Sequence, residues 1–233
     1  MTAGYYSPSQ HGFTEGKSTK MNLMHYLINL QEDLAKNIPC DIVYLDFMKC
    51  FDKISHDVLL QKLKEAGISK TMGLWFQNFL KNRLQCVKVG ETRRPYYQVQ
   101  SSVIQGSVIG PATLLIMIND LPDIFSPSTL KYFFADDFKL MMPLTNGVAI
   151  ELQHQIDLAY EWSLKNKLKF NPKKCEVLHM GPKNPKFVYR IESAFITAVP
   201  EVNDLGITIS AKRLLRPSIE NAIQRSTHAA VNA

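Results

Sequence analysis

The sequence predicts an α+β fold, on three observations. Helix-like and strand-like segments are mixed without the regular alternation that builds a doubly wound sheet. Hydrophobic residues make up 45% of the 233 residues, enough for a buried core. Two apolar runs, residues 130–135 and 138–142, are separated only by Asp136 and Asp137, which predicts an antiparallel hairpin with an acidic tip.

Helices are predicted where apolar residues recur three or four positions apart. The first runs from Thr19 to about Lys36, with Ser18 or Thr19 as its cap and Pro39 beyond its end. Pro111 suits the first turn of another helix. Further helices are expected over residues 58–66, 72–80, 111–119, 148–168 and 214–230.

Strands are predicted where β-branched and aromatic residues cluster or alternate with polar ones. The most apolar of them runs from Cys40 to Phe47 and includes an acid, Asp46. Residues 90–95 are expected to link two short strands. The predicted strands are residues 40–47, 85–89, 96–100, 130–135, 138–142 and 176–180, with a strand-rich stretch over 187–209.

Composition and charge exclude several classes of protein. Lys and Arg number 27 against 21 Asp and Glu, a net charge of +6 that permits a polyanionic partner without requiring one. The four cysteines form no C-x-x-C pair, so a reducing, intracellular compartment is expected. The sequence has no clear basic import tract, so it does not decide between nucleus and cytoplasm. The longest apolar run, residues 114–118, is far too short for a membrane span.

Three carboxylates have unusual neighbours. Asp46 ends a strand-like run, and Asp136 and Asp137 interrupt an aromatic one. Ionised carboxylates in such places are costly, and adjacent ones repel each other, so a divalent cation such as Mg²⁺ would offset the cost. Because strand side chains alternate, one of the paired acids should lie closer to the ion. The alternative is an exposed acidic turn in a structural or protein-binding domain.

Several segments occur in the order found in reverse transcriptases of non-LTR (LINE-type) retrotransposons. Phe134-Ala135-Asp136-Asp137 resembles the acidic box of that family. The other segments that resemble its motifs are residues 10–19 (end of the fingers), 46–56 (first catalytic motif), 102–111 (Gln-Gly-Ser motif), 118–122, 168–174 (lysine motif) and 204–207 (Leu-Gly turn of the primer grip). The resemblance covers roughly residues 10–210.

The resemblance implies a right-hand polymerase palm, an antiparallel sheet packed by helices, with partial fingers and the start of a thumb. Residues 1–38 would be the end of the fingers and a connecting helix, and residues 39–200 the palm, with a fingers-like insertion at about 68–100. Residues 201–233 would be the primer grip and a truncated start of the thumb. The chain would then be a fragment of a longer polyprotein or a truncated genomic copy.

The activity implied by the resemblance is RNA-directed DNA synthesis with two Mg²⁺ ions, or Mn²⁺ in their place. The partners would be an RNA template, a DNA primer and dNTPs. The implied catalytic residues are Asp46, Asp136, Asp137 and Lys174. Asp46 and Asp136 would bridge the metals, Asp137 would support them, and the carbonyl of Phe47 would complete a metal shell.

The resemblance also implies contacts to the substrates. Nucleotide-binding residues would be Phe51, Gln105, Gly106 and Lys17, and the primer grip would include Leu205 and Gly206. Phe51 would exclude the 2′-hydroxyl of a ribonucleotide; its alternative role is packing in the core.

Two groups of cations could follow a nucleic-acid backbone: Lys81, Arg83, Lys88, Arg93 and Arg94, and Lys165, Lys167, Lys169, Lys173 and Lys174. The rival function is a catalytically inactive, nucleic-acid-binding remnant.

Overall fold

The computed structural model describes residues 5–104, 106–145, 149–211 and 213–216. Apart from a four-residue helix at Cys50–Lys53, which was not expected, its helices begin and end close to the positions that the apolar spacing predicts. They are α1 (Thr19–Ala35), α2 (Cys50–Lys53), α3 (His56–Glu65), α4 (Lys70–Leu80), α5 (Gly110–Ile118) and α6 (Ala149–Lys165), with a short 3₁₀ turn at Leu121–Ile124. None of the helices described is long and apolar enough to cross a bilayer.

The strands are short except at the centre of the molecule. They are β1 (Cys40–Leu45), β2 (Leu84–Gln85), β3 (Lys88–Val89), β4 (Thr92–Arg93), β5 (Tyr97–Gln98), β6 (Leu130–Phe134), β7 (Asp137–Pro143), β8 (Glu176–Met180), β9 (Arg190–Ile191), β10 (Ala194–Phe195), β11 (Thr197–Val199), β12 (Glu201–Asp204), β13 (Ile207–Ser210) and β14 (Arg213–Arg216). The predicted α+β class is confirmed.

The central sheet has the strand order β11-β8-β1-β7-β6. β1 is flanked by β7 and β8, both antiparallel to it, and only the outer pair of β11 with β8 is parallel. A separate antiparallel sheet joins β12, β13 and β14. Since β1 is hydrogen-bonded on both edges, its residues and those that follow it are fixed in position by two neighbours.

Helices cover both faces of the central sheet. Alternate residues of β1 point to opposite sides, as a pleated strand requires. Val43 and Leu45 join a large core with residues of α3, α5 and α6, whereas Ile42 packs in a second core with Tyr26 and Leu30 of α1. A strand buried on both faces explains why residues 42–45 read as a continuous apolar run.

Most expected elements are present with small shifts. The Ser18 hydroxyl caps α1 by accepting a hydrogen bond from the amide of Met21 at 3.3 Å. The predicted link over residues 90–95 contains a strand of its own, because β4 pairs with β3 at Val89 and Thr92 and only Gly90 and Glu91 form the turn between them. The chain there forms a narrow ribbon of four two-residue strands.

The predicted helix over residues 214–230 is wrong at its start. Residues 214–216 belong to β14, which pairs with β13 through Thr208 opposite Arg216 and Ser210 opposite Arg213. Pairing with a strand outside the segment overrides the local apolar spacing on which the prediction rested. The rest of that predicted helix, residues 217–230, lies outside the described residues, as does Val148, the expected first residue of the helix predicted over residues 148–168.

Candidate active site

The pairing of β1 with β7 brings acidic residues to one end of the central sheet. The last pair in this register is Leu45 with Phe138, and the residues one step beyond are Asp46 and Asp137. β6 pairs with β7 up to Phe134 opposite Asp137, which leaves Ala135 and Asp136 as a two-residue hairpin turn. The acidic hairpin is therefore present, with Asp137 inside β7 rather than in the turn.

The carboxyl groups at this end influence one another. Burial raises the pKa of Asp136, and repulsion from Asp46 adds to the shift. Burial, followed by repulsion from Asp136 and Asp46, raises the pKa of Asp137 to about 6, although much of the residue's surface faces solvent. Lys174 opposes both shifts. A cluster of carboxylates that one lysine compensates only in part binds protons or cations more readily than separate carboxylates would.

Asp46 is held between β1 and a loop that follows α6. The backbone carbonyl of Asp46 accepts a hydrogen bond from the amide of Asn171 at 2.8 Å, and Phe47 forms a bridge with Phe170. This docking brings the Lys174 ammonium to 3.6 Å from Asp46 Oδ1. The lysine side chain is 66% exposed, so it faces the open side of the site. Lys174 therefore lies beside the acids, where the lysine motif would put it.

The second oxygen of Asp46 has no partner. Asp46 Oδ2 is buried and makes no hydrogen bond. A buried carboxylate oxygen without a partner is costly, and a hard cation is the ligand that would satisfy it. The Phe47 side chain stacks on Phe170 with ring centroids 4.5 Å apart, which leaves its backbone carbonyl as the only group it could offer a metal.

The donor set fits Mg²⁺ in kind, because hard cations prefer oxygen ligands. It is not preassembled: in the described part of the chain no three His, Cys, Asp or Glu side chains already stand at metal-binding spacing.

A cavity of about 160 Å³ opens beside these acids. It lies between the end of the central sheet and the hairpin made by β12 and β13. Asp46, Asp137 and Lys174 line it from the sheet side, and Asp204 and Leu205 line it from the hairpin. Of the paired acids, the lining therefore includes Asp137, while Asp136 occupies the adjoining turn.

The hairpin tip consists of Leu205 and Gly206, the residues expected in the primer grip. Asp204 pairs with Ile207, so these two residues form the whole turn. Both have left-handed backbone conformations, with φ of 50° at Leu205 and 88° at Gly206. Positive φ at both positions is typical of a type I′ turn, and a leucine pays a steric cost there. The strained leucine is the residue that reaches the cavity.

The residues expected to bind the nucleotide lie in two places. Phe51 in α2 is half-buried against the large core, and its carbonyl accepts a hydrogen bond from the amide of Val103 at 3.0 Å. This bond ties α2 to the segment that leads into the Gln-Gly-Ser motif. Gly106 has a φ of 81°, a conformation that favours glycine, and the space around it is open. Gln105 lies outside the described residues.

Lys17 is engaged within its own segment. Its ammonium donates to the carbonyl of Pro8 at 2.6 Å and to that of Gln10 at 2.8 Å. Burial lowers its pKa. Lys17 thus braces residues 8–10, and any contact with a triphosphate would have to replace these two bonds.

Gln10 holds the acidic turn, a role that the sequence analysis missed. Its side-chain amide donates to the carbonyl of Ala135 at 3.1 Å, and its side-chain oxygen accepts from the amides of Ala135 and Gly12, both at 2.8 Å. Ala135 has a φ of 55°, so these bonds hold a residue that is not glycine in a left-handed turn. A Cβ at Gly12 would lie 2.2 Å from the amide nitrogen of Ala135, so only glycine permits this approach.

A second missed residue is Lys139 of β7. It is buried and forms an ion pair with Asp204, the residue that precedes the hairpin tip. Its position between Phe138 and Leu140, within an apolar strand, was the available signal, because a lysine there needs a buried partner.

Most of the chain matches a known protein family. Residues 2–209 match the family described as "Reverse transcriptase (RNA-dependent DNA polymerase)". The chain is 24% identical to the probable RNA-directed DNA polymerase from transposon BS of Drosophila melanogaster, over 93% of this chain and 25% of that protein. It is 28% identical to the RNA-directed DNA polymerase from mobile element jockey of Drosophila funebris, over 71% of this chain and 19% of that protein. The chain thus spans about a quarter or less of these relatives.

Solved structures support the fold. Apo telomerase from Candida tropicalis, truncated from its C-terminal domain, superposes with a TM-score of 0.61 and 13% identity, over 89% of this chain and 40% of that one. Telomerase from Candida tropicalis in complex with a fragment of telomeric RNA gives a TM-score of 0.62 with 12% identity, over 90% of this chain and 34% of that one. At such identity the likeness shows a shared fold.

Neutralising Asp137 should stabilise the metal-free chain at neutral pH. The pKa of Asp137 is raised to about 6, so the folded chain holds its proton at a pH where the unfolded chain has lost it. Stability therefore falls as pH rises from about 4 towards 6. We therefore expect the melting temperature of Asp137→Asn to fall less than that of the parent chain as the pH rises from about 4.5 to about 7.5. Both are measured in the presence of EDTA.

The matched control for this measurement is Asp123→Asn, which changes an exposed acid away from the cavity. Added Mg²⁺ should raise the melting temperature of the parent chain at the higher pH and raise that of Asp137→Asn much less. Equal stabilisation of both chains by Mg²⁺ would contradict a cation site at Asp137.

Proposed function

This chain belongs to the reverse transcriptase family, and we propose that it is the palm-containing part of an RNA-directed DNA polymerase. The reaction joins the 3′-oxygen of a DNA primer to the α-phosphorus of a dNTP paired with an RNA template. The bond between the α-phosphorus and the bridging oxygen breaks, and pyrophosphate leaves. Such a transfer depends on positioning and charge neutralisation more than on covalent chemistry.

The observation that supports this proposal is that the strand register brings Asp46, Asp136 and Asp137 to one end of the sheet, where one buried Asp46 oxygen has no hydrogen-bond partner. A purely structural role would leave such acids hydrogen-bonded or fully exposed. The same end of the sheet carries a lysine and faces a cavity, so it offers groups for both the reacting centre and a departing anion.

We assign the cation site to the carboxylates of Asp46, Asp136 and Asp137 and to the carbonyl of Phe47. Two Mg²⁺ ions, or Mn²⁺, would supply charge neutralisation at the attacking and leaving oxygens when bound. Lys174 Nζ lies on the exposed side of Asp46 and can give a proton to the leaving pyrophosphate or offset its charge. Its carboxylate partner keeps the ammonium oriented towards the site before substrate binds.

The substrate contacts follow the same assignment. Phe51 would lie under the sugar of the incoming nucleotide, with Gln105 and Gly106 beside the base or template and Lys17 towards the triphosphate. Leu205 and Gly206 would meet the primer end, since the hairpin tip lines the cavity opposite the acids. We assign residues 39–200 to the palm, with a fingers-like insertion at about 68–100, and residues 1–38 and 201–233 to parts of the fingers and thumb.

We propose that the exposed ribbon of β2 to β5 contacts the RNA template. Lys88, Arg93 and Arg94 are exposed on it, and Tyr96 and Tyr97 are 61% and 51% exposed. Cations bind phosphates and aromatic faces stack on bases, so this combination suits a single strand. The similar telomerase solved with an RNA fragment supports a nucleic-acid partner for the fold.

Four unpaired cysteines support the intracellular location expected from the sequence.

The direct test is primer extension on an RNA template with dNTPs and Mg²⁺. We expect the parent chain to incorporate nucleotides and Asp136→Asn to lose at least about 100-fold in rate, because a charge at the reacting centre is removed. Asp123→Asn is the matched control and should retain the parent rate.

The inactive-remnant alternative makes a different prediction in the same assay. A folded parent chain that binds RNA but incorporates nothing would overturn the proposed activity. Equal rates for Asp136→Asn and the parent chain would overturn the role of the carboxylate.

Shortening Phe51 should relax the choice of sugar. Phe51→Ala removes the ring that we place where a 2′-hydroxyl would go, so the preference for dNTPs over rNTPs should fall by about 10–100-fold. The measurement is the ratio of kcat/KM for a dNTP and its ribonucleotide. Phe79→Ala is the control, since Phe79 is another half-buried aromatic packed against the same core but in α4. An unchanged ratio in Phe51→Ala would favour the core-packing role.

Neutralising the ribbon should weaken RNA binding and its salt dependence. The affinity for a single strand falls with salt, and each phosphate contact contributes about 0.7 to the steepness of log affinity against log salt. The double variant Arg93→Gln with Arg94→Gln should therefore make this slope shallower by about 1.4. Fluorescence anisotropy with single-stranded RNA measures this. Lys20→Gln with Lys36→Gln removes the same charge from exposed positions at α1. If both pairs act alike, net charge and not the ribbon carries the binding.

A further inference from the structure

We infer that the buried ion pair of Lys139 with Asp204 is a positioning device that fixes the tip of the β12–β13 hairpin relative to the catalytic strand. The inference rests on the proposed function, since it assigns the primer end to that tip. It makes Lys139 and Asp204 positioning residues, because they would act through Leu205 and Gly206 and touch no reacting atom.

Lys139 lies in the strand that carries Asp137, and Asp204 lies beside the hairpin tip. Lys139 follows Asp137 by two positions in β7, so both lie on the same face of that strand. Asp204 is the last residue of β12 and immediately precedes Leu205. Lys139 Nζ bonds to Asp204 Oδ2, so this contact links the acidic strand to the residue beside the hairpin tip. Their side chains are 3% and 7% exposed.

Aromatic side chains enclose the pair. Lys139 Nζ lies 4.5 Å from the ring centroid of Tyr26, and the rings of Tyr44 and Tyr132 lie at 5.9 and 6.0 Å. The Tyr44 hydroxyl donates to Asp204 Oδ2 at 3.4 Å and is 3.2 Å from the Tyr26 hydroxyl. Burial lowers the pKa of Lys139, and the Asp204 carboxylate counteracts the shift. The enclosure leaves both charges little freedom to move.

The hairpin has separate attachments at its base and its tip. Val202 and Ile209 belong to the second core, with Ile42 and Leu178 of the central sheet. These apolar contacts hold the base of the hairpin without help from any charge. The ion pair acts closer to the turn, so its removal should release the tip while the base stays packed.

Stability alone is a weak reason to bury this pair. The cost of removing two charges from water often equals or exceeds their attraction, and apolar residues of similar volume do as well. What an ion pair adds over apolar packing is a fixed geometry between two specified atoms. At this place that geometry sets the distance from Asp137 to Leu205, across the cavity that both line.

The chain offers a matched control in a second buried lysine. Lys62 Nζ is 2.5 Å from Asp120 Oδ1 and 4.9 Å from the ring centroid of Trp162. Like Lys139 it is buried, paired with an aspartate and placed over an aromatic ring. Neither Lys62 nor Asp120 lines the cavity. The Asp120 side chain is 57% exposed, whereas that of Asp204 is 7% exposed. Loss of this contact therefore tests what a buried lysine with a carboxylate partner does for the fold away from the cavity.

The experiment compares Lys139→Met with Lys62→Met in two measurements. The first is hydrogen exchange of the free chain, where amides of residues 201–210 should exchange faster only in Lys139→Met. The second is primer extension per folded chain. Lys139→Met should lower kcat by about 10–100-fold, because the hairpin tip would no longer hold the primer end in the reacting position. The KM for dNTP should stay within about twofold of the parent value. Lys62→Met should keep the parent kcat, even where its melting temperature falls.

The outcomes separate this inference from the proposed function. Unchanged exchange in the hairpin of Lys139→Met, or equally fast exchange there in Lys62→Met, would overturn the anchoring. Faster exchange with an unchanged kcat would overturn the positioning role. If the parent chain extends no primer, the proposed function fails, and the exchange measurement still decides whether the ion pair holds the tip.

Discussion

The pairing of β1 with β7 is the constraint on which the site depends. Its register sets Asp46 beside Asp137, and the β6–β7 turn adds Asp136. Three carboxylates lie near the end of a buried sheet, and burial, with their mutual repulsion, raises the pKa of Asp136 and Asp137. The folded chain carries this electrostatic cost in advance. A bound cation would offset this cost, so on the proposed assignment the same acids would provide the affinity for a metal.

Three elements outside the central sheet keep this end in place. The Gln10 side chain bonds to both the amide and the carbonyl of Ala135. These bonds hold Ala135, which is not a glycine, in a left-handed conformation. The loop after α6 docks on Asp46 and presents Lys174. Lys139 attaches the hairpin that carries Leu205. Each makes its contact through a buried or partly buried polar bond, which specifies direction in a way that apolar packing does not.

The sequence predicted the elements whose signals are local. The cap at Ser18, the apolar spacing of α1 and the run that forms β8 depend on neighbours in the chain, and the structure has them. The helix expected from residue 214 failed because β13 captures residues 213–216. Gln10 and Lys139 escaped notice as site residues because their partners lie 125 and 65 positions away, and no local pattern encodes such contacts. The acids were proposed as site residues because their aromatic surroundings and the family resemblance pointed to the same positions.

The central claim is that the acids at the end of β1 and in the β6–β7 hairpin form a site for divalent cations. The most direct measurement is a crystal structure of the chain soaked in Mn²⁺, with the ion located by its anomalous scattering. We expect a Mn²⁺ peak in contact with Asp46 and at least one of Asp136 and Asp137, with the buried oxygen of Asp46 among the ligands. Mn²⁺ bound elsewhere, with these carboxylates hydrogen-bonded only to protein groups, would contradict the claim.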